Sequence, residues 1–140
     1  MKKIGLLFLT ILFIGFGCQK TKIGYLVTKN AEYIPNSIVV RKNLDPEQDA
    51  KRIMNKAPWI SPKIQGVLGT NPINYEIVDI VASAGGDAAI FKKYLTIRGA
   101  GLMELPLYSK VPSGKYLISI KAYNEGYEAI IKDAFTFIVE

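Results

Sequence analysis

The sequence predicts an all-β chain, an antiparallel β-sandwich of about seven short strands with one short helical insertion. Three observations carry that expectation. Runs rich in Val, Ile, Tyr and Phe recur along the chain, each closed by Gly, Pro, Asn or Asp. Two late runs alternate strictly, with Tyr116, Ile118, Ile120 and Ala122 on one face of the first and Phe135, Phe137 and Val139 on one face of the second. The chain has 140 residues, 49% of them hydrophobic and 11% aromatic, which suits one folded core and excludes an intrinsically disordered chain.

Ile23 to Thr28 and Ser37 to Arg41 are β-branched runs separated by a turn at Pro35-Asn36. Asp45-Pro46-Glu47 reads as a helix start, with an aspartate N-cap, a proline at the first helical position and an acid in the first turn. Ala50, Ile53, Met54 and Ala57 follow at helical spacing until Pro58, giving a short helix; an irregular edge strand over Lys51 to Asn55 is the competing reading. Ile73 to Val81 alternates with Ile73, Tyr75 and Ile77 on one face. The phase slips at Val78-Asp79, where Val78 and Ile80 take over, as at a β-bulge. After a turn at Gly85-Gly86-Asp87, Phe91, Lys93, Leu95 and Ile97 share one parity and predict a strand reaching Arg98. Gly99-Ala100-Gly101 turns the chain into Leu102 to Leu107, where Pro106 marks an edge strand. The two alternating strands close the domain, joined by a turn at Asn124-Glu125-Gly126.

The N-terminus reads differently. Lys2 and Lys3 precede an almost unbroken apolar stretch from Ile4 to Phe16. A bilayer span needs about 20 residues, so this stretch suits the apolar region of a secretory signal better. Small Gly17 comes directly before Cys18, the only cysteine. Gly15-Phe16-Gly17-Cys18 resembles the lipobox of a bacterial lipoprotein signal peptide, with Gly15 standing where that pattern has leucine or another aliphatic residue. The resemblance implies a signal peptide over 1–17, a lipidated cysteine and tether over 18–22, and a single domain over 23–140. It implies a thioether-linked lipid and a further acyl chain such as palmitate on Cys18, and an effectively permanent outer-membrane anchor. An ordinary signal peptide, or an uncleaved anchor with a buried thiol, is also compatible with these residues. Gln19-Lys20-Thr21-Lys22 is basic where some surface-exported lipoproteins are acidic, so the periplasmic and surface faces both stay open.

The net charge is +6, and without Lys2 and Lys3 it falls to about +4. The remaining lysines are scattered along strand-like stretches instead of forming a basic patch with interleaved aromatics, so no nucleic-acid partner is expected.

PSGKYLISIKAYNEGY, from Pro112 to Tyr127, resembles the penultimate hairpin of immunoglobulin-like and cadherin-like sandwiches. There a Gly-x-Tyr turn leads into a central strand and the tyrosine hydroxyl ties back to the preceding corner; Gly114 and Tyr116 hold those positions. WISPKIQGVLGTNPINYEI is similar to the first core strand of cadherin-like domains in bacterial surface lipoproteins, especially those of polysaccharide-utilisation systems. LTIRGAGLMELP is similar to the strand, glycine turn and strand before their Gly-x-Tyr corner. The resemblance covers roughly residues 58–139 and implies a fold more than an activity. Cadherin calcium motifs are missing, because Asp79, Asp87 and Asp133 stand alone, so no metal is implied. A lone aspartate in a turn satisfies backbone donors.

There is no histidine, which excludes Ser-His-Asp and Cys-His catalysis and imidazole metal sites. Gly66-Val67-Leu68-Gly69-Thr70 lacks the lysine and helix of a phosphate loop. Glu76, Glu104, Glu125 and Glu128 lie on separate strands or turns, with nothing to pair them for glycoside hydrolysis. A non-enzymatic chain without cofactors is expected. Aromatics are the better lead, and Trp59, Tyr94, Tyr108 and Tyr127 are candidate ligand-binding residues, although packing is the simpler account of any one of them. The expected role is an accessory binding or adhesion module for a glycan or protein ligand. The alternative is a structural spacer or subunit of a larger envelope complex, with Trp59 and the Leu102 to Leu107 edge as its interface.

Overall fold

The structure is a computed structural model that describes residues 23–140; the leader, Cys18 and the tether lie outside the described residues. The chain is mostly β, with several antiparallel sheets and two helices, compatible with a β-sandwich. In order it forms β1 (Leu26–Val27), β2 (Ser37–Val40), α1 (Ala50–Asn55), β3 (Trp59–Ile60), β4 (Leu68–Gly69), β5 (Asn74–Ala82), α2 (Ala88–Tyr94), β6 (Thr96–Arg98), β7 (Leu102–Leu105), β8 (Gly114–Asn124) and β9 (Tyr127–Val139). A four-stranded sheet runs β2-β9-β8-β5, a three-stranded sheet β3-β7-β6, and β1 pairs with β4 in a separate ribbon. All pairings are antiparallel except that of β2 with β9, where Ser37 to Val40 run parallel to Thr136 to Val139.

The alternation in β8 and β9 is the backbone of the core. Tyr116, Ile118, Ile120, Ala122, Phe135 and Phe137 are fully buried, with Trp59, Met103 and Leu105 of the other sheet in the same apolar cluster. Five aromatic rings run through it, Tyr33–Phe135 (5.2 Å), Phe135–Phe137 (5.1 Å), Phe137–Phe91 (5.4 Å) and Phe91–Tyr116 (4.2 Å, stacked). The phase slip in β5 is a bulge, since the register against β8 shifts between Ile77 and Asp79. Ile80 and Ala82 then take the core-facing positions.

Four expectations are corrected. Residues 88–94 form a second helix, not the first part of a strand, and only Thr96–Arg98 is extended. Phe91 and Leu95 fall on one side under either periodicity, so parity alone did not separate the two. What decides is Asp87, whose side chain accepts from the Ile90 amide at 2.9 Å and caps the helix. Secondly, α1 is the expected short helix but begins at Ala50 with Asp49 as its N-cap, not at Asp45, and it buries none of its residues, Met54 being 76% exposed. Thirdly, β7 is the middle strand of its sheet, paired on both sides, and Pro106 lies just past its end. Finally, the run from Ile23 to Thr28 forms a ladder only at Leu26–Val27.

Tyr116 makes the expected corner. Its hydroxyl donates to Pro112 O at 2.7 Å and accepts from the Asp87 amide at 3.2 Å. Gly114 sits at φ 159°, close to extended. Its need for glycine is a close approach, because a Cβ there would meet Gly86 Cα at 3.2 Å and Ser83 Oγ at 3.1 Å. In urea melts, Tyr116→Phe is expected to cost about 1–3 kcal/mol by leaving a carbonyl and an amide without their partner. Tyr116→Ala is expected to cost about 3–5 kcal/mol through the cavity it opens. Tyr123→Ala, on the half-buried opposite parity, should cost only about 0.5 kcal/mol. Equal damage from the two alanine variants would contradict the inward register.

Candidate functional site

The β8–β9 hairpin gives the domain two ends. β8 spans 11 residues, about 33 Å at roughly 3.3 Å per residue. At its turn end, the side-chain amide of Asn124 donates to Tyr25 O at 2.8 Å and Thr70 O at 3.1 Å. The described chain therefore starts beside the hairpin turn. At the opposite end Gly114 pairs with Val139, and Val139 with Val40. A cleft of about 270 Å³ opens there, between Val40-Arg41-Lys42 at the end of β2 and Leu107-Tyr108-Ser109-Lys110 before β8.

Buried Val40 and Leu107 give the cleft an apolar side, and Tyr108 stands 66% exposed at it. Lys42 and Lys110 are exposed and have no ion pair among the described residues. Arg41 is held from behind by an ion pair with Asp49, whose other oxygen accepts from the Asp45 amide at 3.0 Å. The Arg41 hydrogen bond, followed by the Asp45 amide, keeps the Asp49 carboxyl below the usual aspartate range. Asp45 accepts from the Glu47 and Gln48 amides and so holds the turn that leads into α1, although it is not the helix's N-cap residue. Arg52 of α1 lies 3.9 Å above the Trp59 ring and donates to Pro58 O at 2.9 Å. Thus α1 is attached through a guanidinium–indole stack and an ion pair instead of an apolar face.

The neighbourhood also carries an acid, since the Glu140 amide donates to Val40 O at 2.9 Å and the Lys42 amide to Glu140 O at 2.7 Å, which sets Glu140 beside the basic residues. Arg41 Nε and Trp59 Nε1 are buried without a hydrogen-bond partner, and the Asp49 carboxylate is already engaged. Of these groups only Arg41 lines the cleft, and with Lys42, Lys110 and the exposed Tyr108 ring it suits an anionic group carried on a body with an apolar face. Ser109 has no histidine or carboxylate among the lining residues.

The four aromatic candidates do not form one platform. Tyr108 lines the cleft, whereas Trp59 is only 4% exposed and lies behind it against Arg41 at 5.6 Å. Tyr94 is half-buried and packs on the core from the last turn of α2. Tyr127 is half-buried at the hairpin turn, the other end of the molecule. At the interface expected for a spacer, Trp59, Met103 and Leu105 are buried, Leu102 and Glu104 are half-buried and Pro106 is exposed. Among the acids, Glu76 and Glu128 flank Lys121 at 3.3 and 3.9 Å, and Glu104 pairs with Arg98. Arg41, Lys42 and Lys110 were not singled out from the sequence. No local motif joins them; only the parallel β2–β9 pairing brings residue 42 beside the entry to β8.

A second depression, of about 420 Å³, lies between Ala31–Asn36 and Ile131–Ala134. Its charges, Glu32, Asp133 and Lys132, are of mixed sign, and the Tyr33 hydroxyl turns inward to Gly101 O at 2.6 Å. Among the described residues no His, Cys, Asp and Glu group could hold a metal, and no helix is long and apolar enough to cross a membrane. No protein-family model matches the chain, and no curated protein or solved structure is detectably similar to it.

Trp59 is the sole tryptophan, so its fluorescence reads the α1 attachment. The fold favours ionised Asp49. Its contribution is therefore complete above the ordinary aspartate pKa of about 3.9 and is lost as pH falls through the lower folded value. Acidification below about pH 4 should shift Trp59 emission, and Asp49→Asn should show shifted emission already at neutral pH with a flatter acid response. An Asp49→Asn titration that overlays the parent curve would contradict this linkage.

Proposed function

We propose that the chain is a non-catalytic binding module of immunoglobulin-like, cadherin-like architecture, anchored to the outer membrane by lipid on Cys18, which binds an acidic glycan or protein ligand in the Val40–Lys110 cleft. The observation that carries the reading is the opposition of two features. The chain enters the domain at the hairpin-turn end, where Asn124 grips Tyr25, and the cationic cleft opens at the far end of the same hairpin. A module tethered at one end holds the other end toward its ligand.

Strand order supports the architecture. An immunoglobulin sandwich groups its third, sixth and seventh strands in one sheet and its second, fifth and fourth in the other. Here β5, β8 and β9 are neighbours, β3, β7 and β6 are neighbours, and the early strand β2 adds beside the last. The Tyr116–Pro112 hydrogen bond has the form of that fold's tyrosine corner. The absence of histidine from the whole sequence supports a binding role over hydrolysis.

Cys18→Ala is expected to move the protein out of the membrane fraction while its urea melt stays unchanged. Binding is read on an array of neutral and acidic glycans and by pull-down from intact cells. The parent should retain acidic ligands, more weakly at higher salt. Lys42→Glu combined with Lys110→Glu should abolish that retention, and Tyr108→Ala should weaken it. No ligand in either format, or a double variant that binds as the parent does, would overturn the proposal.

A further inference from the structure

We infer that the outer face of the β1–β4 ribbon rests on the lipid surface and fixes how the domain stands on the membrane. This rests on the lipid anchor at Cys18 proposed above. Val27 and Leu68 are direct cross-strand partners, so their side chains leave the ribbon on the same side, and Tyr25, two residues before Val27, shares that side. All three are exposed, at 45%, 61% and 55%, and Ile23 at the start of the described chain is 86% exposed. The opposite side of the ribbon is occupied. A Cβ on Gly69 would meet the Asn124 side-chain nitrogen at 3.3 Å and Leu26 Cδ1 at 3.1 Å, so that side packs toward the hairpin turn.

The length of the tether selects the occupant of the open side. Five peptide units separate Ile23 from Cys18, and at no more than about 3.6 Å each they reach about 18 Å. A lipid on Cys18 therefore holds this face within roughly that distance of the headgroups. Lys20 and Lys22 lie between the lipid and the patch and match anionic headgroups. Tyrosine beside aliphatic residues is the composition that settles at a bilayer interface. With this face down, β8 and β9 rise from the membrane and the cationic cleft is carried outward.

The test uses the mature acylated protein in vesicles of phosphatidylethanolamine and phosphatidylglycerol. Acylation of Cys18 is first read by mass spectrometry. With Cys18 blocked by its lipid, Leu68→Cys supplies one free thiol for an environment-sensitive nitrobenzoxadiazole label. Val27→Cys is a second site on the face, and Met54→Cys on α1 is the distant control. Labels at 68 and 27 should emit at shorter wavelength in vesicles and be quenched by doxyl-labelled lipid, while the label at 54 stays aqueous. An acylated protein whose labels at 68 and 27 stay aqueous overturns this inference and leaves the anchor standing. A shift that persists in lipid-free detergent and grows with protein concentration also overturns it, because a second copy then covers the face. An unmodified Cys18 overturns the anchor and, with it, the membrane-facing role.

Discussion

Tyr116 is the residue on which most of the structure depends. Its ring stacks on Phe91 at 4.2 Å, and its hydroxyl joins Pro112 O to the Asp87 amide. Three separate pieces of chain meet at that one side chain: the start of β8, the corner before it and the N-terminus of α2. Asp87 then caps the helix that delivers Phe91, so the polar and apolar halves of the contact reinforce each other. A tyrosine buried with its hydroxyl doubly bonded fixes direction as well as burial, which an apolar residue of equal size would not.

The same hairpin that Tyr116 begins also separates the two ends of the domain. Its inner face is uniformly apolar from Tyr116 to Ala122, and its turn end is closed by Asn124 onto the β1–β4 ribbon. At the other end the chain uses charge where apolar packing is thin. Arg41 and Asp49, with Arg52 on Trp59, attach a helix that buries no residue of its own. The consequence is a cleft lined by Arg41, Lys42 and Lys110, positioned partly by the attachment of α1 and partly by the parallel addition of β2 to β9.

How much of this was legible follows from how local each feature is. β8 and β9 were readable because strict alternation survives wherever one face of a strand is buried. The bulge near Val78 was readable as a slip in that alternation. The register shift in β9, where Ile118 pairs with Phe135 but Ile120 with Ile131, left no such trace in the sequence. Helix α2 was missed because Phe91 and Leu95 satisfy both periods, although Asp87 followed by Ala88 and Ala89 carried a cap signal. Pro106 suggested an edge where β7 is central, since a proline one residue past a strand looks the same in sequence as one inside it. Tyr108 was visible as an aromatic, but its cleft was not. The walls come from residues far apart in the chain and depend on a parallel pairing that no short motif encodes.

One rigid hairpin holds the ribbon end of the described chain and the cleft apart. Spin labels at Leu68→Cys and Tyr108→Cys, in a Cys18→Ala background, measure that separation by double electron–electron resonance. A single narrow distribution is expected at roughly 30–40 Å, set by the length of β8. A broad distribution, or a dominant distance below about 20 Å, would mean that the two ends are not held apart by the hairpin.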